Sequence, residues 1–427
     1  MTRVQRYPSF ACSAWERTST ALPRSAWARG RAVRLLLCAA ALSCMDAPAA
    51  RGERPVALPV EGDPFPARLT AVDGDWGVSL LADGAARQLA AAGLVRWGVP
   101  AEVRRGPVLV TAGGGLLVAD VLRADPAEFV AFADLFGKLT LPTDRLAGVV
   151  FDPPADRETC DRLLLRVAGA TGSTDRVLLH NGDELAGTLE RLADGTLRLR
   201  TDVGQVELGT DRIAAVVFNP DLRRPAGPEG LRAWVGLADG SRLVASKLVL
   251  DEGAAVLTAL GGENLKASPE DVVFLQPLGG RVVYLSDLEA TGYRYLPYLS
   301  LSWAYHRDRS VVGTRLRAAG QLYLKGLGMH SAARLSYDLG GQYRQFQAEL
   351  GVDDSAGGRG SVQLRVYVDR ELKYTSETIR GNGAPVPVRI DTPGAKRLDL
   401  IVDFADQAHV LDHADWLDAR LVRAAGD

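Results

Sequence analysis

The sequence predicts an all-β chain, with a C-terminal antiparallel β-sandwich preceded by an array of small antiparallel β-barrel-like repeats. Three observations carry this. Apolar residues recur at every second position in short runs, which is the period of a half-buried strand. Asn-Gly and Asp-Gly dipeptides and Gly/Pro clusters separate the runs, as hairpins require. Between about Phe65 and Pro277 the sequence is weakly similar to itself, the mark of a repeated unit.

In chain order, residues 1–49 come first and read as a secretory signal peptide with a long basic N-region. Arg3, Arg6, Arg17, Arg24, Arg29, Arg31 and Arg34 face a single acid, Glu16. The apolar run Leu35 to Met45 follows, and Ala47-Pro48-Ala49 offers small residues for cleavage near Ala49 or Ala50. The run is too short to span a bilayer, so no transmembrane segment is expected. The mature protein is expected to be secreted, periplasmic or held in the cell envelope. Ala41-Leu42-Ser43-Cys44 departs from a lipoprotein signal at the position three before the Cys, which leaves a lipid anchor at Cys44 as the minor reading.

Residues 50–154 hold the first copies of the repeat. The clearest of these is Pro107 to Pro153, which ends in Leu146-Ala147-Gly148-Val149-Val150-Phe151. A degenerate leading copy is assigned from Phe65, with Asp73-Gly74 and Asp83-Gly84 as turns. Residues 155–175 form a linker in which Thr159 to Val167 has helical character and Gly169 to Ser173 acts as a stop. Residues 176–222 and 231–278 are two further copies, with turns at Asn181-Gly182, Asp194-Gly195 and Asp239-Gly240, and the Pro/Gly stretch 223–230 links them. Each copy has the strand count and turn spacing of a small SH3-like or Sm-like barrel. Such barrels bury little surface alone, so the copies are expected to pack together as a scaffold, with protein partners a further role.

Residues 279–427 form the last unit, organised around Lys325-Gly326-Leu327-Gly328-Met329-His330-Ser331. The glycines suit a tight backbone path where one strand turns into the next. Alternating runs surround the motif: Leu335 to Leu339, Phe346 to Leu350, Val362 to Val368, Val386 to Ile390, Leu398 to Phe404 and Trp416 to Val422.

This unit resembles the NPCBM family of carbohydrate-binding modules. The matching residues are Tyr284-Leu285-Ser286-Asp287-Leu288, Lys325 to Ser331, Tyr337 to Gly341, Phe346, Gly351 to Asp354 and Asp412-His413-Ala414-Asp415-Trp416. The resemblance implies a galactose-binding-like sandwich, or jelly roll. It also implies a glycan partner, galactose-type or another polysaccharide, and a structural calcium ion. Asp369-Arg370 departs from the family's Asp-Gly turn, which leaves the turn geometry open.

Composition excludes several classes. The formal net charge is −2 over 427 residues, so no field for nucleic acid exists. Cys160 is the one cysteine beyond the N-terminal segment, which rules out an internal disulfide after cleavage. No HExxH, P-loop or GxSxG motif occurs, and no pair of carboxylates is set up to flank a glycosidic bond.

Candidate sugar contacts are Trp303, Tyr305, His330, Asp353, Asp354 and Trp416, with His306 and His413 nearby. Aromatic faces cover sugar C–H surface, and polar side chains satisfy hydroxyls. Trp416 and His330 each have a second reading, as a core side chain and as a structural histidine bonded to backbone. Asp415 and Asp418 are the candidate calcium ligands, with solvated acids as the other reading. The leading expectation is a non-catalytic secreted glycan-binding protein. An envelope structural protein without sugar binding comes second and a glycoside hydrolase third.

Overall fold

Short turns divide the chain into strands as expected. The computed structural model describes residues 54–424 except 226, 228, 229, 260, 298, 299 and 407. Residues 1–49, the expected signal peptide, lie outside the described residues. At Asp83-Gly84 (φ 48° and 80°) and Asp194-Gly195 (φ 53° and 71°) both turn residues are left-handed, the hairpin geometry that these dipeptides favour.

The array contains four copies of one plan. Each has a strand, a second strand (split in the first two copies), two more hairpin strands, one 3-10 turn and a closing strand. In every copy the closing strand pairs with the opening one: Leu94–Gly98 with Val56–Pro59, Leu146–Val150 with Val108–Thr111, Ile213–Val217 with Asp175–Leu179, and Val272–Leu278 with Arg232–Leu237. The leading copy thus begins at Val56, upstream of the assigned Phe65.

The copies pair in a nested order. The closing strands of the second and third copies join, with Val149 opposite Val216. Those of the first and fourth join, with Leu275 opposite Trp97. One apolar core runs through all four, from Ala57 to Leu275. The helix Arg157–Ala168, capped by Asp156 accepting from the Thr159 amide at 2.8 Å, covers the inner pair with Leu164 and Val167. Arg223, at the start of the expected 223–230 linker, donates to the carbonyls of Ala147, Val167, Ala168 and Ala170, which fastens that end to the inner pair.

The C-terminal unit is a sandwich of two antiparallel sheets. One holds His306–Arg307, Gly326–His330, His413–Arg423, Tyr343–Val352 and Val386–Asp391 in that order, with Val282–Tyr284 also on His413–Arg423. The other holds Gly292–Tyr295, Ala333–Asp338, Arg397–Phe404, Ser361–Val368 and Glu371–Thr375, with Ile379–Arg380 on Ser361–Val368. Leu335, Phe346, Leu350, Val366, Leu400 and Trp416 fill the space between them.

The motif Lys325 to Ser331 is mostly strand rather than a connection. Gly326–His330 lies beside His413–Arg423, and its glycines answer to close approach. A Cβ on Gly328 would stand 2.4 Å from the Arg309 carbonyl oxygen, and Gly326 has φ 149°. At Asp369-Arg370 both turn residues are left-handed without a glycine, with φ 50° and then 71°.

The sandwich is seated on the array. Leu58, Val60, Val95, Leu278, Val282, Tyr284 and Val422 form an apolar seam between them. Beside it Arg96 bonds Glu349 at 3.0 Å and Asp418 at 2.9 Å. Asp418 also accepts from Gln276 at 2.8 Å. Farther along, Arg317 bridges Asp161 of the helix and Glu102 of the array.

Candidate functional site

Lys325 Nζ lies 2.6 Å from Asp287 and 2.7 Å from Asp308. Burial opposes its charge, but the two carboxylates outweigh burial and raise its pKa. It is a buried structural cation that ties the segment before the sandwich to the motif strand.

The same strand ends at His330, whose direct cross-strand partner is His413. Both are buried, at 2% and 5% exposure. Trp303, half-buried on the stretch leading to His306, lies flat on His330 with ring centroids 4.8 Å apart and planes 9° apart. The Trp303 carbonyl accepts from the Tyr293 hydroxyl at 2.8 Å, which anchors this stretch to the neighbouring sheet. His413 lies 5.9 Å from the Trp303 ring, His409 lies 6.3 Å from His330, and Tyr295 meets His330 edge-on at 6.3 Å. Three of the chain's five histidines thus gather around one tryptophan.

Burial disfavours the charged forms of His330 and His413. It pushes His330 down to about 4 and lowers His413 as well. The contacts from His330 Nδ1 to the Ser331 carbonyl and hydroxyl are 3.5 and 3.4 Å, too long to fix it as strong hydrogen bonds would. Ser355 Oγ lies 2.9 Å from His413 Nδ1. Burial also pushes the Asp412 carboxyl up to about 6, although its Oδ1 accepts from the Ser361 amide at 3.1 Å.

Beside the cluster an open groove of about 650 Å³ runs over the second sheet, between Tyr295, Leu296 and Pro297 on one side and Phe404 and His409 on the other. Leu296 and Phe404 are 56% and 50% exposed. Apolar rims of this kind suit a ligand with alternating apolar and polar faces.

The sequence-predicted residues divide. Trp303 and His330 meet as described. Tyr305 does not join them: its ring packs on Tyr293 at 5.1 Å, toward the core. Trp416 is 0% exposed inside the sandwich, so it is a core residue and cannot stack on a sugar from solvent. Asp353 is 2% exposed and accepts from the Arg317 and Ser355 amides, each at 3.0 Å. Asp354 accepts from the Gly320 amide at 2.9 Å. Both acids hold backbone and do not line the groove.

Asp418 does not fit a calcium site, because its oxygens are engaged by Arg96 and Gln276 and a guanidinium already neutralises it. Asp415 faces different surroundings. It is fully buried beside Asp353, and burial together with that neighbour raises it well above the carboxylate range. Among the described residues no group of three or more His, Cys, Asp or Glu is arranged to hold a metal. Sequence reasoning missed Tyr295, His409 and the groove. The available signal was the concentration of histidines in the last unit.

Comparison with known proteins agrees with the resemblance. Residues 281–422 match the family described as NPCBM/NEW2 domain, so the sandwich carries that domain and the array lies outside it. The chain is 32% identical over 287 residues to a protein of Renibacterium salmoninarum named "Putative endo-alpha-N-acetylgalactosaminidase", covering 60% of this chain and 19% of that protein. It is 31% identical over 115 residues to the "Alpha-1,3-galactosidase B" of Akkermansia muciniphila, covering 26% and 14%. The chain therefore spans less than a fifth of either curated relative.

Among solved structures, a CBM51 module from Clostridium perfringens GH95 in complex with methyl-galactose shares 28% identity, with 33% of this chain and 99% of that chain covered and a TM-score of 0.30. The CBM51-2 and INT domains of Clostridium perfringens ZmpB, with GlcNAc, share 26% identity, with 43% and 38% covered and a TM-score of 0.32.

Proposed function

We propose that this protein is a non-catalytic glycan-binding protein exported from the cytoplasm, in which the sandwich recognises sugar and the array holds it in place. The observation that carries the reading is the Trp303 cluster at the end of a sandwich whose sequence matches a carbohydrate-binding family. Trp303, backed by neutral His330, offers a fixed aromatic face to the apolar side of a pyranose, and the groove lies beside the cluster, lined by Tyr295, Ser331 and His409. Galactose-type sugars are the first class to test, because both curated relatives carry such a sugar in their names. The basic N-region and the apolar run Leu35 to Met45 support export. No helix among the described residues is long and apolar enough to cross a membrane.

The test is calorimetric titration of the full chain with methyl-galactoside, together with a glycan array. Binding is expected, and Trp303→Ala should weaken it about tenfold or more while the melting temperature moves little. Uniformly blank wells would overturn the reading. The seated junction favours the second reading, a structural role, because one face of the sandwich is already covered by the array. Blank wells would select it. Hydrolysis of an aryl-galactoside by the purified chain would instead make it an enzyme.

A further inference from the structure

The groove over the second sheet carries a charge pattern that a neutral sugar does not need. Arg294 and Arg334 both line it, and they are direct cross-strand partners. Like charges placed opposite one another destabilise a sheet, so such a pair usually has an acid beside it. Here the neighbouring acids are already taken. Asp403, on the groove wall, is bound to Arg365 at 3.0 Å. Asp399, the next acid along the same sheet, is bound to Arg397 at 2.8 Å. Among the described residues neither Arg294 nor Arg334 has an ion pair or a hydrogen bond. The two guanidiniums therefore present ten N–H donors, none of them in an ion pair or hydrogen bond, to a groove whose other polar lining is Ser331, Asp403 and His409.

We infer that the groove selects glycans bearing an anionic group, a sulfate ester or a carboxylate, held by Arg294 and Arg334 while the sugar ring rests against the Trp303 end. Guanidinium groups match the geometry of both anions, and charge-assisted bonds are the stronger kind. The volume of about 650 Å³ is that of a groove holding a short oligosaccharide rather than one ring. This inference rests on the glycan-binding reading and adds to it the chemical class of the ligand.

The test titrates the full chain with methyl-galactoside, galactose 6-sulfate and 3′-sialyllactose, using wild type and the Arg294→Gln/Arg334→Gln variant. At least one anionic sugar is expected to bind about tenfold more tightly than the neutral one, and which one gains separates sulfate from carboxylate. The double variant should bring the anionic sugars to the affinity of the neutral one and not lower the melting temperature, since it relieves a repulsion. Neutral binding with no anionic preference, or a preference that survives in the double variant, overturns the inference alone. If none of the three sugars binds, both the inference and the glycan-binding reading fall.

Discussion

The two ends of the strand His413–Arg423 treat buried ionisable groups in opposite ways. Toward the array, Asp418 meets Arg96 and Gln276, and Arg420 donates to Gln347 and to the Asp418 carbonyl. Toward the loops, His413 and Asp415 lie among groups that burial drives to their neutral forms. Burial is similar at both ends. What differs is whether a group of opposite charge shares the space. Toward the array burial also raises Asp418 and lowers Arg420, but Arg96 stands against Asp418 and opposes that shift. Toward the loops a second carboxyl, Asp353, stands beside Asp415, and flat rings surround His330.

The largest test breaks the joined end. Arg96→Met leaves Asp418 and Glu349 without their cation, and breaking a buried pair costs about 3–5 kcal/mol. Urea denaturation reads this directly, and a loss below about 1 kcal/mol would show that the junction is not desolvated. The comparison sharpens with one substitution made at both ends. Asp418→Asn removes half of a buried ion pair and should destabilise by about 2–3 kcal/mol at neutral pH. Asp415→Asn replaces a carboxyl already in its acid form and should be neutral or slightly stabilising. Equal losses for the two would remove the distinction.

A smaller effect is the pH dependence of the loop end. His330 has its folded pKa depressed to about 4 from an ordinary 6.5, so its contribution is complete above 6.5 and is lost as pH falls through 4. Asp412 has its folded pKa raised to about 6 from 3.8, so its contribution is complete below 3.8 and is lost as pH rises through 6. The stability advantage of wild type over His330→Gln should therefore grow with pH between about 4 and 6.5. Its advantage over Asp412→Asn should shrink between about 3.8 and 6. Thermal melts across that range decide both, and parallel curves would count against the neutral cluster. The smallest change lies at neither end. Arg370 occupies φ 71°, so Arg370→Gly should gain about 1 kcal/mol.

Period-two patterning made the strands and the copies legible, because turn dipeptides such as Asp194-Gly195 act locally. The nested pairing was not legible, since nothing near Trp97 in sequence announces Leu275. The same limit explains Trp416 and Asp418. Strand His413–Arg423 is buried on both faces, by the sandwich on one side and the array on the other, so the rule of one wet face fails there. Trp303 and His330 could be picked out as candidate types, but their stacking depends on a loop path that the Tyr293 hydroxyl holds. Arg294 and Arg334 become neighbours only through strand register.

The nesting of the copies also governs the order of events as the chain emerges. The second copy finds its partner in the third soon after both exist, with few residues between them. The first copy has its closing-strand partner only once Val272–Leu278 has been made. Until then the Leu94–Gly98 edge stands open, a template for any other extended chain. Long-range closure of this kind is slow, so refolding should show a fast phase from the inner pair and a slower one from the outer pair. Crowded chains would be at greatest risk of mispairing in the interval between those phases.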